Sequence, residues 1–63
     1  MIHARIYANG HYTEKCVRVF QCSTWQSAVE NAAMWCNDRK NKRLRYWVDI
    51  VTDKGELITH RNF

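Results

Sequence analysis

The chain contains no proline and only two glycines, so it has no proline-stiffened linker and no glycine-rich loop of the kind that cradles phosphates. Its uninterrupted apolar runs are only a few residues long, against the roughly 20 that a membrane-spanning helix requires. No signal-peptide arrangement opens the chain. Cysteine is scarce and odd in number, three in all, which does not suit a secreted disulfide framework. Cys16 and Cys22, if both lie on one extended strand, are roughly 20 Å apart at about 3.3 Å per residue and could not bridge each other. No two cysteines have the short spacing that brings thiolates onto one zinc ion, so no metal site is expected from Cys16, Cys22 and Cys36 with His3, His11 and His60. Acidic residues are the minority charge, six against ten Lys and Arg, for a formal net charge of +4. These absences point to a soluble cytoplasmic protein without membrane, metal or cofactor, with a mild bias toward anionic partners.

What is present argues for an ordered core. At 63 residues there is room for a single domain, 1–63, and 46% of it is hydrophobic, with three Trp, three Tyr and two Phe. Aromatic side chains bury much area per residue ordered, so a chain of this composition folds, alone or as an oligomer.

Residues 2–8 alternate in period two and end at Asn9-Gly10, a strong hairpin signal. A two-residue turn there pairs Tyr7 with Tyr12, Arg5 with Glu14, His3 with Cys16 and Ile2 with Val17. It would place Ile2, Ala4, Ile6, Val17 and Val19 toward a core. Ser23-Thr24 then offers a helix N-cap, with Gln26 three residues after Ser23 as in a capping box. On a helical period Trp25, Ala28, Val29, Ala32 and Cys36 form one stripe, with Ala33 and Trp35 beside it and Met34 on the polar side. Residues 44–51 read as a strand, Asp53-Lys54-Gly55 as a three-residue hairpin loop with glycine in the left-handed position, and 56–61 as the last strand. Pairing across that loop puts Ile50 with Ile58 and Val48 with His60 on one face. Val51 with Leu57, Asp49 with Thr59 and Trp47 with Arg61 fall on the other. The expected fold is α+β, in the order ββαββ, with an antiparallel four-stranded sheet and one helix packed on one face.

One small helix leaves the second sheet face uncovered. In the registers above that face carries His3, Arg5, Tyr7, Tyr12, Arg18, Phe20, Arg45, Trp47 and Arg61, with Glu14 and Asp49 as its acids. Arginine mixed with aromatics is the composition of protein-interface hot spots and of single-stranded nucleic-acid platforms. Cross-strand packing alone, with Arg61 stacked on Trp47 and nothing bound, is the plain alternative. A homodimer through this face is a third outcome. The segment 39–45 holds five of the ten basic residues. Arg39, Lys40, Lys42, Arg43 and Arg45 would serve as phosphate contacts if the partner is nucleic acid, or as cations placed at a helix C-terminus if it is not. The acids Glu14, Glu30, Asp49, Asp53 and Glu56 are dispersed, and no catalytic motif accompanies them, so the chain is not expected to be an enzyme.

The N-terminal hairpin, the Ser/Thr-started helix with its Ala-rich run Ser27-Ala28-Val29-Glu30-Asn31-Ala32-Ala33, and the strands that follow resemble the small early host-takeover proteins of tailed phages. Among these are inhibitors of a bacterial RNA polymerase, similar over roughly residues 2–37, and antitoxins that block a host RNase toxin, similar over most of the chain. The resemblance implies a short non-enzymatic protein that occupies a surface on a larger host protein in the host cytoplasm. The contact residues expected for such a role are Arg5, Tyr7, Tyr12, Arg18, Met34, Arg45, Trp47 and Arg61.

Overall fold

The computed structural model describes residues 1–9, 14–39 and 45–63, with Glu14 described in its backbone only. Strand β1 is Ile2–Asn9, β2 is Glu14–Cys22, helix α1 is Trp25–Asp38, β3 is Arg45–Thr52 and β4 is Leu57–Asn62. The expected ββαββ order is present, as one antiparallel sheet in the order β2-β1-β3-β4. β1, first in the chain, therefore lies between β2 and β3, and α1 carries the chain across it. No described helix is long and apolar enough to cross a membrane.

The helix begins where a hydroxyl can satisfy a free amide. Thr24 is the N-cap, in extended backbone, and its Oγ1 accepts from the Ser27 amide at 3.2 Å. The cap is thus Thr24 rather than Ser23 with Gln26, because the amide three residues on from Thr24 is the one its side chain reaches. From there the helix turns Ala28, Ala32 and Cys36 into the sheet, four residues apart on one stripe. Two fully buried alanines let the helix approach closely, and Val29 and Trp35 fill the flanks. Trp25, expected in the stripe, stays 40% exposed at the first turn.

Beneath the helix lie Ala4 and Ile6 of β1, Cys22 of β2, and Val48 and Ile50 of β3, with Ile2, Phe20 and Tyr46 partly buried against them. α1 packs across β2, β1 and β3.

Both hairpins depart from the simplest register, and each departure exchanges faces. In the first, Ala8 pairs with Lys15 and Asn9 with Glu14, which are not the pairings that a two-residue turn at Asn9-Gly10 gives; residues 10–13 lie outside the described residues. Ile2 then pairs with Cys22 instead of Val17, Arg5 with Val19 instead of Glu14, and Tyr7 with Cys16 instead of Tyr12. At Ile2 the displacement is an odd number of residues, which turns the other side of β2 toward the core. Phe20 and Cys22 face the helix, while Val17 and Val19, expected in the core, are 39% and 48% exposed. Phe20 supplies more buried area than a valine, and its partner Ala4 leaves it room. A bulge between the Ile6 and Tyr7 pairs brings Cys16 opposite Tyr7.

The second hairpin forms its turn as expected. Gly55 has φ +84°, its amide donates to the Thr52 carbonyl at 2.9 Å, and the Thr52 amide donates to Glu56 at 2.9 Å. Val51↔Leu57 also follows. Beyond it a bulge takes up Ile58, so Ile50 pairs with Thr59, Asp49 with His60, Val48 with Arg61 and Trp47 with Asn62. The expected Ile50–Ile58, Val48–His60, Asp49–Thr59 and Trp47–Arg61 pairs are each displaced by that one residue.

Two substitutions test this account. A Cβ at Gly55 would meet nothing within 4 Å, so the cost of Gly55→Ala is the left-handed backbone alone, about 1–2 kcal/mol. It is expected as a lower urea midpoint with an unchanged m-value. Ile50→Ala removes a fully buried side chain and is expected to cost about 2–5 kcal/mol. In a domain this small that leaves much of the chain unfolded by circular dichroism at 37 °C.

Candidate functional site: the open sheet face

The registers of the three ladders define what stands on the face turned away from α1. Paired residues share a face, so three rows cross the four strands. One row is Cys16, Tyr7, Trp47 and Asn62; the next is Val19, Arg5, Asp49 and His60; the third is Gln21, His3, Val51 and Leu57. Asn9 and Arg45 form a further pair at the end of the sheet.

The third row is closed. Asp53 in the β3–β4 turn is bonded to the Met1 amino group at 2.9 Å and to His3 Nε2 at 2.7 Å. Val51 beside His3 is only 5% exposed although it stands outside the main core. The ammonium group and the His3 ring hold the Asp53 carboxyl below its ordinary range. That contribution is present above the unfolded carboxylate range and is lost as pH falls through the lowered folded value.

The middle row is electrostatic. Asp49 stands between Arg5 and His60, and its Oδ1 is 2.6 Å from His60 Nδ1. The bond to Asp49 raises the His60 pKa, with a further bond to Asn62 and the Asp49 charge acting the same way. Among the described residues neither Arg5 nor Arg45 is in an ion pair.

The first row is aromatic. Tyr7 and Trp47 stack across β1 and β3 with centroids 5.6 Å apart and ring planes at 14°. Both rings are half-buried. Near Trp47, at the corner of the sheet, Asn9, Arg45, Tyr46, Trp47, Asn62 and Phe63 surround a cleft of about 480 Å³.

Of the contact residues expected from sequence, the structure therefore brings Arg5, Tyr7, Arg45 and Trp47 together. Arg18 and Arg61 are corrections: they pair with Ile6 and Val48 on the helix side, because each bulge inverted its strand. Arg18 caps Phe20, with its guanidinium 5.0 Å from the ring centroid. Phe20 likewise leaves the open face, and the expected stacking of Arg61 on Trp47 does not occur. Met34 is exposed on α1, with the helix and the sheet between it and this face. Tyr12, Lys40, Lys42 and Arg43 lie outside the described residues. Arg39 belongs to the helix end, where it sits 4.3 Å over the Trp35 ring and donates to the Trp35 carbonyl at 3.4 Å. Sequence reasoning placed Asp49 on this face but missed its pairing with His60, and it missed Asn9 and Asn62 as members of the site. Only the Ile58 bulge aligns His60 and Asn62 with Asp49 and Trp47, and a run of six strand residues carries no sign of it.

The His60–Asp49 pair can hold a proton, yet the thiol nearest in row terms, Cys16, is three strands away, roughly 14 Å at about 4.8 Å per strand. All three cysteines are free, and burial pushes the Cys36 thiol up despite the Arg39 charge nearby. Among the described residues no three His, Cys, Asp or Glu side chains gather into a metal-sized group. What the face offers is contact: two guanidinium groups, a stacked aromatic pair, carboxamides and a protonatable dyad. Comparison with protein-family models, with curated proteins and with solved structures returns no significant match for this chain.

The raised His60 pKa means that the dyad's stabilisation is complete below the unfolded histidine pKa and is lost as pH rises through the higher folded value. An NMR titration of the His60 ring should give a midpoint above that of an ordinary histidine. In Asp49→Asn the midpoint should fall back toward the ordinary value.

Proposed function

We propose that this chain is a small non-enzymatic binding protein that occupies a surface of a larger protein through its open sheet face and modulates it sterically. The observation that carries the reading is the Tyr7–Trp47 stack at 5.6 Å, standing half-exposed between Arg5 and Arg45 on a face that no described element covers. Trp, Tyr and Arg dominate interface hot spots because each brings large contact area or a fixed fork of donors at low conformational cost. The resemblance to early phage proteins adds a direction, a bacterial host protein met in the host cytoplasm.

Affinity capture from a bacterial lysate, run with and without nuclease, tests this. The expected result is a stoichiometric protein partner that survives nuclease and is lost with Trp47→Ala, whose affinity should fall by roughly 30-fold or more, as for a hot-spot residue. A melting curve of the variant separates lost binding from lost fold. Recovery of nucleic acid alone, or of proteins that depend on it, with an affinity that falls steeply with salt, would overturn the reading in favour of a nucleic-acid-binding domain.

A further inference from the structure

β4 is the strand that the core does not hold. It contributes no residue to the buried cluster, α1 packs across β2, β1 and β3, and every β4 residue except the half-buried Thr59 is exposed. Its pairing with β3 is interrupted at Ile58, so residues 59–62 form a short ladder of their own beyond the bulge. An edge segment of this kind, with few buried contacts and backbone bonds open to water, belongs to the part of a fold that opens most readily.

The rungs of that ladder are not alike. The Phe63 amide donates to the Tyr46 carbonyl at 2.9 Å. Bonded and unbonded pairs alternate along an antiparallel ladder. The pairs in phase with Phe63, Val48↔Arg61 and Ile50↔Thr59, are therefore the hydrogen-bonded ones, and Asp49↔His60 and Trp47↔Asn62 lie between them. An unbonded pair brings its side chains closer together, and at Asp49↔His60 the side chains make the link. An ionised carboxylate only accepts, so His60 donates from Nδ1 to Asp49 Oδ1 at 2.6 Å. Among the described residues this is the one side-chain hydrogen bond between the two strands.

The charges around His60 leave that bond in control of its proton. β3, the strand paired with β4, turns Asp49 toward it and Arg45 two rows further off. β1 adds Arg5 beyond Asp49 and His3 in the next row. Asp53 in the turn is already bonded to the Met1 amino group and to His3, and Arg61 of β4 itself stands on the other side of the sheet. Among the described residues Asp49 is thus the acid that faces His60. The bond to Asp49 keeps the ring protonated above the ordinary histidine range, and it is strongest while the ring is charged. We infer that Asp49 and His60 form a proton-operated latch on the outer half of β4. With the ring charged, residues 59–62 stay seated on β3; when the proton leaves, this segment opens more often while the core stays closed. The latched segment carries His60 and Asn62, so the proton sets how often the outer margin of the open face stands beside Trp47. That consequence for binding rests on the protein-binding reading above, whereas the latch itself does not. The latch is whole below the unfolded histidine pKa and is lost as pH rises through the higher folded value.

The test is amide hydrogen exchange of the ¹⁵N-labelled full chain, followed by NMR from about pH 5.5 to about pH 8.5, with each rate taken relative to an unstructured chain at the same pH. Protection at Arg61 and Phe63 is expected to fall by about threefold, the gap between a charge-assisted and a neutral hydrogen bond at an exposed site. The midpoint should coincide with that of the His60 ring in the same samples, and protection of the β1 amides should not change. Asp49→Asn and His60→Gln should each flatten the step and leave Arg61 and Phe63 near their high-pH protection throughout. Both side chains lie outside the buried cluster, and the β1 amides report the fold of each variant. Absence of a step would overturn the latch, and so would a step that survives in either variant. A step of equal size at the β1 amides would also overturn it, because the whole domain would then be opening. The measurement contains no partner, so its failure leaves the binding reading standing, just as capture indifferent to Trp47→Ala would leave the latch standing.

Discussion

The contact on which the rest depends is the seating of Ala28, Ala32 and Cys36 onto Ala4, Ile6, Val48 and Ile50. A helix about 10–12 Å across, laid on strands about 4.8 Å apart, covers two to three strands and no more. Here it covers β2, β1 and β3, and the outcome follows from that width. β4 has no helix over it, and its residues are exposed or half-exposed on both sides. The whole second face is left to cross-strand pairing for its order. The stacked Tyr7–Trp47 pair, the Asp49–His60 bond and the Asp53 knot are how this chain orders it.

The edges and the face are treated differently. Both outer strands carry a bulge, at Val17 in β2 and at Ile58 in β4, while the inner β1–β3 ladder runs without interruption. A bulge disrupts the regular row of amides and carbonyls that would otherwise invite another strand. Exposed valine and leucine at the edges would make such pairing costly to leave unguarded, so the bulges and the charged residues beside them direct contact to the face instead. The proposed use of that face agrees with this division.

Much of the fold was legible, and the reasons differ by element. The period of Ala28, Ala32 and Cys36 announced the helix and its buried side because a helix has one dominant neighbour, the sheet. Asp53-Lys54-Gly55 announced the second turn because only glycine adopts that φ without strain. The β1–β2 register counted from Asn9-Gly10 was displaced because a turn signal states a local preference, while the register is decided by which residues of β2 bury best, and Phe20 with Cys22 outweighed Val17 with Val19. The site was legible where it rests on the inner strands: Arg5, Tyr7, Arg45 and Trp47 all stand on β1 or β3, whose alternation is unbroken. It was misread on the outer strands, where Arg18, Phe20 and Arg61 each lie past an extra residue. Periodicity is a count from a starting point, and a bulge resets the count without changing composition.

The Ile58 bulge therefore acts as a phase setting for the outermost strand. Upstream of it, Val51 and Leu57 are in step whether it exists or not. Downstream, it alone decides that His60 and Asn62, rather than Thr59 and Arg61, are presented beside Asp49 and Trp47. Because β4 contributes no residue to the buried cluster, a single-residue insertion or deletion there would exchange the chemistry of this margin wholesale while leaving the core as it stands. A chain of this design can change what its outer margin presents by altering length where most proteins must alter identity.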